Sequence, residues 1–407
     1  MKCRHCHSEL NNLLIDLGAQ PPSNSYLRLE DLDNAEVYLP LKVYVCDECF
    51  LVQTADHTSR ETFFNKDYAY FSSISSSWLE HAKKYVNEMV ERFKLDENSF
   101  AIEVASNDGY LLQNFIEKKI PCLGIEPTES TAEKSISLGI QTLVEFYGTE
   151  TAEIVRDKYG AADLITCNNV YAHVPDINDF TEALNISLKE NGVVTIEFPH
   201  LYNLIKFCQF DTIYHEHYSY LSVSTAQKIF ESKGLRIFRV DKLPTHGGSV
   251  RIYGCKFLAK HETCASVKEI IDEEERLGLR DIGSFNSFQS RSINLKLDFL
   301  EFLTKAKREG KKVCAYGAAA KGNTFINFAG VKSDLIQFVA DAAPSKIGKF
   351  LPGSRIPIVS PTSVLKLQPD YVIVLPWNIV QEVKHQFSEL RKYETKFVTF
   401  VPDYREI

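Results

Sequence analysis

The sequence lacks any apolar run of about 18 residues, the length that a membrane-spanning helix needs. Its first residues, MKCRHCHSEL, are polar and lack the apolar core of a secretory signal peptide. We therefore expect a cytoplasmic protein without a membrane span.

The chain also lacks an excess of positive charge. The chain has 46 lysines and arginines against 54 aspartates and glutamates, which gives a net charge of −8. Non-specific binding to nucleic acid or to an anionic membrane depends on a positive field, so the sequence argues against both partners. An acidic small-molecule substrate is still compatible with this charge if basic residues gather locally.

The remaining composition is that of a globular protein, with 44% hydrophobic and 25% charged residues, and 407 residues suffice for two or three domains. Residues 1–66 carry short strands and turns. Residues 67–258 alternate helical and strand patterns, as a βαβ sheet requires. Residues 259–310 contain no proline and predict one or two connecting helices. Residues 311–407 predict a second, smaller α/β unit, with strand candidates KKVCAYG, DLIQFVAD, YVIVLP and TKFVTFVP.

Two CxxC pairs, Cys3/Cys6 and Cys46/Cys49, indicate a structural zinc site. A two-residue spacer on a tight turn lets both thiolates face one Zn²⁺ ion, and two such pairs complete a closed tetrahedron. The long spacer between the pairs requires a small sub-domain. Reduced thiols and a nucleic-acid-binding zinc ribbon are the alternatives, and the acidic chain disfavours the ribbon.

A nucleotide pocket is predicted where residues 101–105 form a hydrophobic strand that ends in a small-residue turn. The next strand ends at Glu126-Pro127, where a carboxylate can accept hydrogen bonds from both ribose hydroxyls of an adenosine. The fourth strand of this predicted sheet ends at Asn168 and Asn169, at the same edge of the sheet. The predicted cofactor-binding residues of the first strand and turn are Glu103, Ser106, Asn107, Asp108 and Gly109.

The competing ligand for this pocket is NAD. The turn with Asp108 and the segment NNVYAHVPD have no place in a nicotinamide-binding fingerprint, which favours S-adenosylmethionine.

Residues 214–220, YHEHYSY, contain two histidines, one glutamate and three tyrosines. Such a cluster is rarely buried without a purpose, because each polar group needs a partner. Core packing and a two-histidine-one-carboxylate iron site are alternatives, but no distant carboxylate completes an iron site. We favour general acid-base chemistry, for which histidine is the natural proton carrier near neutral pH.

Across essentially its whole length the chain resembles the three-domain, zinc-containing sugar C-methyltransferases of deoxysugar pathways, including the tetronitrose-type C-3′-methyltransferases. The motifs that carry this resemblance are the paired cysteines, SNDGYLL, NNVYAHVPD, IEFPHL, FDTIYHEHYSYLS, THGGSVR and AYGAAAKGNT. It implies a zinc-binding N-terminal domain, a central class I (Rossmann-like) S-adenosylmethionine domain and a C-terminal Rossmann-like α/β domain. The implied reaction is methylation at C3 of a nucleotide-linked 4-keto-6-deoxy sugar. The matching active-site positions are Tyr68, His173, Tyr214, Glu216 and His217.

Carbon methylation needs a carbanion, and a proton beside a ketone can be removed if the enolate is stabilised. We hypothesise that His217 removes this proton, that Tyr214 and His173 bind the enolate oxygen, and that Glu216 orients the base or binds a sugar hydroxyl. Tyr68 closes the pocket in this scheme. The predicted substrate-binding residues are His215, His246, Lys321, Asn323 and Lys346, the last three from the C-terminal unit, where a helix N-terminus and lysines suit a pyrophosphate.

The alternatives are an O- or N-methyltransferase of the same fold, a zinc-ribbon methyltransferase acting on RNA or protein, and a non-catalytic sugar-nucleotide-binding protein. Only a C-methyltransferase requires proton exchange at the acceptor carbon. We expect a nucleotide-diphosphate keto-sugar as substrate and a monomer or weak homo-oligomer.

Overall fold

The computed structural model describes residues 1–57 and 71–407. In chain order, the strands are β1 Asn12–Gln20, β2 Leu39–Val45, β3 Val52–Thr54, β4 Ala101–Val104, β5 Cys122–Ile125, β6 Thr142–Leu143, β7 Ala162–Asn168, β8 Leu188–Pro199, β9 Ser219–Tyr220, β10 Leu235–Leu243, β11 Ser249–Lys256, β12 Val313–Tyr316, β13 Val339–Ala340, β14 Ile358–Val359, β15 Tyr371–Val374, β16 Lys396–Thr399 and β17 Arg405–Glu406.

The α-helices are α1 Ser76–Phe93, α2 Gln113–Glu117, α3 Glu129–Ser137, α4 Thr149–Tyr159, α5 Ile177–Ser187, α6 Leu201–Lys206, α7 Val223–Ser232, α8 Ala265–Leu277, α9 Phe288–Arg308, α10 Ala320–Ala329, α11 Thr362–Leu367 and α12 Val380–Gln386. Short polar side chains begin several of them: Ser75, Asp176 and Ser222 each accept a first-turn backbone N–H. None of the helices in the described ranges is long and apolar enough to cross a membrane.

The central sheet has seven strands in the order β6-β5-β4-β7-β8-β11-β10. Its strands run parallel except β11, which is antiparallel to both β8 and β10. The β4 residues are all buried, as expected for a strand covered on both faces. The chain reverses its winding direction between β4 and β7, so a crevice opens beyond the carboxyl ends of these two strands. This arrangement confirms the expected class I methyltransferase fold.

The C-terminal sheet has the order β14-β13-β12-β15-β16-β17 and is parallel apart from β17. Its winding reverses between β12 and β15, so it also has a crevice beyond the carboxyl ends of its strands. The four predicted strands are present as β12, β13, β15 and β16, and the predicted connecting helices are α8 and α9. The two-residue strands β14 and β17 were not predicted.

A third, four-stranded sheet has the order β1-β2-β3-β9 and is antiparallel. Three of its strands come from the N-terminal region, but β9 is the end of the YHEHYSY segment. The sequence did not predict this pairing. It joins the N-terminal sheet directly to the segment with the candidate acid-base residues. The predicted domain limits at residues 66, 258 and 310 remain predictions.

The four cysteines of the two CxxC pairs converge beside this sheet. Their sulfur atoms all lie within 4.8 Å of one another, with Cys3 and Cys49 at 3.5 Å and Cys6 and Cys46 at 3.4 Å. A tetrahedral Zn²⁺ with bonds of about 2.3 Å would hold its sulfur ligands about 3.8 Å apart, so the donor set fits zinc.

The neighbouring His5 is not part of the metal shell. Its Nδ1 donates to Asn178 Oδ1 at 2.8 Å, and Asn178 Nδ2 donates back to the His5 carbonyl. The first CxxC pair is thereby fixed to α5 of the central domain.

Replacing Cys46 with serine should remove zinc and destabilise the N-terminal domain, because a zinc site contributes its binding energy to folding. Metal analysis should show about one zinc per wild-type chain and a loss in Cys46→Ser, with a lower melting temperature. Activity should fall only in proportion to the folded protein. Cys264→Ser, outside the cluster, should keep its zinc and serves as the control. A stable, fully active, zinc-free Cys46→Ser protein would contradict this assignment.

Candidate active site

A cavity of about 390 Å³ lies where the three sheets meet. Its walls come from the carboxyl ends of β4, β5 and β7, from the YHEHYSY segment and from the turn after β12. Its lining includes Asn24, Tyr26, Trp78, Ala105, Asn107, Tyr110, Glu126, Pro127, Asn168, Asn169, His173, Thr212, Tyr214, Glu216, His217, His246, Lys321 and Lys346. The cavity therefore unites the candidate cofactor residues with most of the candidate acid-base and substrate residues.

Four residues on the wall of this cavity have a left-handed backbone conformation. Ala105, Asn107, Asn169 and His246 have φ values of 53°, 49°, 56° and 52°, in the left-handed region that non-glycine residues rarely adopt. Such conformations persist only where the surrounding structure imposes them, and they cluster at functional sites.

The cofactor half of the cavity is built around the Glu126 carboxylate. Glu126 Oε2 accepts from the Asn107 backbone N–H at 2.9 Å, and its Oε1 accepts from the Thr128 N–H at 2.8 Å. Burial raises the pKa of this carboxyl, while the backbone donors favour its ionised form. Each oxygen keeps a lone pair for a ribose hydroxyl.

Two adjacent asparagines face this half of the cavity. Asn168 Nδ2 and Asn169 Oδ1 are buried without a hydrogen-bond partner within the described ranges. Buried polar atoms without partners are costly, so they indicate a ligand. Together with Glu126 they fit S-adenosylmethionine, which offers ribose hydroxyls and the amino and carboxylate groups of its methionine part.

Four predicted cofactor residues do not line the cavity: Glu103, Ser106, Asp108 and Gly109. Asp108 Oδ2 instead accepts from the Ser73 N–H at 3.1 Å, next to the Asn107 Oδ1 that accepts from Ser72. Glu103 lies inside the sheet, and burial raises its pKa well above the ordinary value. Their positions indicate that they stabilise the turn after β4. A direct contact between each of them and the cofactor remains a prediction.

The acid-base half is a cluster of aromatic rings around His217. The ring centroid of His217 lies 3.9 Å from that of Tyr214 and 4.6 Å from that of His173. His217 Nδ1 donates to the Thr212 carbonyl at 3.0 Å, because a carbonyl can only accept. This bond fixes the tautomer in which Nε2 carries a lone pair. Burial also lowers the pKa of His217 well below its ordinary value, so the ring is neutral at neutral pH.

Burial shifts the neighbouring groups as well. It lowers the pKa of His173 to about 4 and that of His246 to about 4, so both are neutral hydrogen-bonding groups. It raises the pKa of the Glu216 carboxyl to about 7. Tyr68, the remaining predicted catalytic residue, lies outside the described residues.

Two lysines of the C-terminal domain reach the cavity. Lys321 Nζ donates to Asn378 Oδ1 at 2.8 Å and lies 4.8 Å above the ring of Trp377. Lys346 Nζ donates to the Ala318 carbonyl at 2.9 Å. Both keep ammonium hydrogens for a further acceptor.

The structure places two predicted substrate residues away from the cavity. His215 Nε2 donates to the Leu39 carbonyl at 3.2 Å, towards β2 of the N-terminal sheet. Asn323 is buried and its Nδ2 donates to the Ser23 carbonyl at 3.2 Å. Neither lines the cavity, so the expected substrate contact is not supported by their positions. A turn separates His215 from His217: the His217 N–H donates to the Tyr214 carbonyl at 2.9 Å, and the chain becomes extended only at Ser219–Tyr220.

Sequence reasoning missed Asn24, Tyr26 and Trp78, which all line the cavity. Asn24 and Tyr26 belong to the N-terminal region, and Trp78 to α1. No local motif marks them, because their position depends on how the domains pack.

Glu126→Ala should weaken the binding of S-adenosylmethionine by roughly 1.5–3 kcal/mol, the usual contribution of hydrogen bonds to a charged group. Isothermal titration calorimetry measures this directly, with Glu129→Ala, an exposed neighbour outside the lining, as the control. Unchanged affinity in Glu126→Ala would remove Glu126 from the cofactor site.

Three family models match successive parts of the chain. A zinc binding domain matches residues 3–64, a methyltransferase domain matches residues 78–240, and a C-methyltransferase C-terminal domain matches residues 244–402. The first supports zinc as the ion of the cysteine cluster, and the second supports S-adenosylmethionine as the cofactor.

Among solved structures, a S-adenosylmethionine-dependent methyltransferase from Clostridium acetobutylicum is similar to 44% of this chain over 92% of its own, with 13% identity and a TM-score of 0.36. Magnesium protoporphyrin IX methyltransferase from Synechocystis, with bound S-adenosylmethionine, is similar to 50% of this chain over 100% of its own, with 12% identity and a TM-score of 0.36.

A full-length relative is the C-methyltransferase NovU of Streptomyces niveus. It is 31% identical over 406 residues, which are 100% of this chain and 96% of NovU. The chain therefore belongs to the C-methyltransferase family, as an S-adenosylmethionine-dependent enzyme with a zinc-binding N-terminal domain.

Proposed function

We propose that the enzyme methylates C3 of a nucleotide-linked 4-keto-6-deoxy sugar through an enolate. The observation that carries the proposal is the neutral His217 ring, whose Nδ1 donates to the Thr212 carbonyl and whose ring packs against Tyr214 and meets His173 edge-to-face. The Nε2 lone pair of this neutral imidazole lies in the cavity, next to the cofactor half. Such a group can act as the general base that removes a carbon-bound proton.

In the proposed reaction, His217 Nε2 takes the proton from C3. The electron pair of the broken C–H bond forms a C3–C4 double bond in the sugar. The π electrons of the C4 carbonyl move onto its oxygen, which becomes an enolate oxygen. Tyr214 supplies a hydrogen-bond donor for that oxygen, and preorganised donors stabilise developing charge strongly. The position of His173 does not support the same role, because a neutral imidazole has one N–H and that of His173 is engaged by the Glu216 backbone carbonyl. S-adenosylmethionine, when bound, supplies an electrophilic methyl group.

The walls of the cavity support positioning of the two reactants. The cofactor half and the acid-base half share one cavity, and holding reacting groups at near-attack distance supplies a large part of an enzyme's acceleration. Glu216, with a pKa near neutrality, orients the sugar or the base in this scheme.

The C-terminal domain is proposed to hold the nucleotide end of the substrate. The lysines Lys321 and Lys346 reach the cavity from the carboxyl edge of the second parallel sheet, where α10 begins. The free N–H groups at the start of a helix and two ammonium groups suit a pyrophosphate. The expected cytoplasmic location and the monomeric or weakly oligomeric state remain predictions.

The proposal is tested by incubating nucleotide-linked 4-keto sugars with the enzyme in deuterated water. Mass spectrometry should show deuterium at C3 without the cofactor and a new methyl group at C3 with it. An O- or N-methyltransferase needs no such exchange. Methylated products without C3 exchange would overturn the proposed reaction.

His217→Ala should lose C3 exchange and methyl transfer together, by about 10²–10⁴-fold, the usual cost of a missing general base. Binding of S-adenosylmethionine should be nearly intact. His215→Ala is the matched control, because that ring contacts Leu39 outside the cavity. Normal exchange in His217→Ala would show that another residue is the base.

Lys321→Ala should raise KM for the sugar nucleotide and leave the affinity for S-adenosylmethionine unchanged, because only the phosphate end loses a cation. Steady-state kinetics and calorimetry measure the two quantities separately. Lys366→Ala, on the exposed surface of α11, is the control. A normal KM in Lys321→Ala would remove this lysine from the substrate site.

A further inference from the structure

Residues 21–27, here called the N-terminal strap, leave β1 and cross onto the C-terminal domain. Leu27 exchanges two backbone hydrogen bonds with Phe350, at 3.0 and 2.8 Å. The Tyr26 hydroxyl donates to the Ala318 carbonyl at 2.6 Å, and Asn323 Nδ2 donates to the Ser23 carbonyl at 3.2 Å. The strap is therefore anchored on both sides of Asn24.

Asn24 is the strap residue that reaches the YHEHYSY segment. Its Nδ2 donates to both carboxylate oxygens of Glu216, at 2.8 and 3.0 Å. Both residues line the cavity, and Glu216 is 4% exposed. A carboxylate buried this deeply needs hydrogen-bond donors to remain ionisable, and the zinc-binding domain supplies one.

We infer that Asn24 is a positioning residue for Glu216, so that the N-terminal zinc-binding domain contributes directly to the active site. The inference rests on the proposed function, because that function gives Glu216 its role. Asn24 acts through Glu216: it fixes the orientation of the carboxylate and favours its ionised form.

The chemistry of the donor explains why an amide is suitable here. A lysine or arginine at this position would hold the carboxylate permanently ionised through a full positive charge. A neutral amide offsets only part of the cost of burial, which leaves the pKa of Glu216 at about 7. The carboxyl group can therefore gain or lose a proton near neutral pH during turnover.

Other titratable groups face this part of the cavity, and the experiment must separate them from Glu216. They are Tyr26 on the strap, His173 after β7, Tyr214 and His217 on the same segment as Glu216, and Lys321 and Lys346 on the C-terminal domain. The Glu216→Gln variant identifies the titration that belongs to Glu216.

The first measurement uses full-length, zinc-loaded protein with ¹³C-labelled glutamate carboxyl groups. NMR follows the Glu216 signal, assigned by its loss in Glu216→Gln, as the pH changes. Hydrogen bonds to a carboxylate lower its pKa, so their removal in Asn24→Leu should raise the titration midpoint by about one pH unit. In Asn24→Asp a second carboxyl group replaces the amide, and the midpoint should also rise. Ser25→Ala, an exposed strap neighbour, should leave it unchanged.

The second measurement is the pH profile of kcat/KM for methyl transfer. The limb that disappears in Glu216→Gln should move to higher pH by the same amount in Asn24→Leu. Melting temperature and cofactor affinity check that the variants are folded, and Asn24→Asp serves as the second, nearly isosteric variant if Asn24→Leu is unstable. A merely structural role for Asn24 would lower the rate without moving this limb.

An unchanged NMR midpoint in both Asn24 variants would overturn the inference. A midpoint that moves while the kinetic limb stays in place would also overturn it, because Asn24 would then not act on the reaction. The proposed function is judged separately by C3 exchange in the wild-type enzyme, since the NMR titration needs no sugar substrate.

Discussion

Val52 and Gln53 of β3 pair with Tyr220 and Ser219 of β9, and this short ladder links the zinc-binding domain to the segment that carries His217. The link continues at the next residue, where the Thr54 hydroxyl donates to the His217 carbonyl at 3.0 Å and the Thr54 N–H donates to the Tyr218 carbonyl. The second CxxC pair immediately precedes β3. The metal site therefore fixes the start of the strand that holds the backbone of the candidate base.

The first CxxC pair acts on the opposite side of the same site. Arg4 lies between its two cysteines, and its guanidinium donates to the Pro175 carbonyl at 2.8 Å and to the Thr54 carbonyl at 3.0 Å. Pro175 lies two residues after His173 in the same segment. A closed shell of four thiolates has no open position for catalysis, yet residues beside the cysteines hydrogen-bond to both segments that bring the two histidines together. The zinc is thus structural in its chemistry and still relevant to the active site.

The central and C-terminal sheets together enclose the cavity. Both have their crevice beyond the carboxyl ends of their strands, and the cavity has walls from both edges. A continuous apolar core connects the N-terminal sheet, through Phe210, with Phe325 and the strands of the C-terminal sheet. The domains consequently do not pack as independent units. Burial between them keeps His173, His217 and His246 neutral, and the neutral ring is the form in which His217 can accept a proton.

The sequence alone determined the features that local spacing encodes: the cysteine pairs, the buried strands of both parallel sheets, and the carboxylate and asparagines at the strand ends. It also singled out the YHEHYSY segment, because such a density of polar aromatic groups is unusual. Only the tertiary structure decided that the end of this segment joins the N-terminal sheet, that His215 turns towards Leu39 while His217 enters the cavity, and that Asn24 meets Glu216. These contacts join residues as far as 192 positions apart, and no local pattern specifies them. They follow from the packing of three domains around one cavity. Hydrophobic burial drives this packing, and it leaves no local sequence pattern at the polar residues that it brings together.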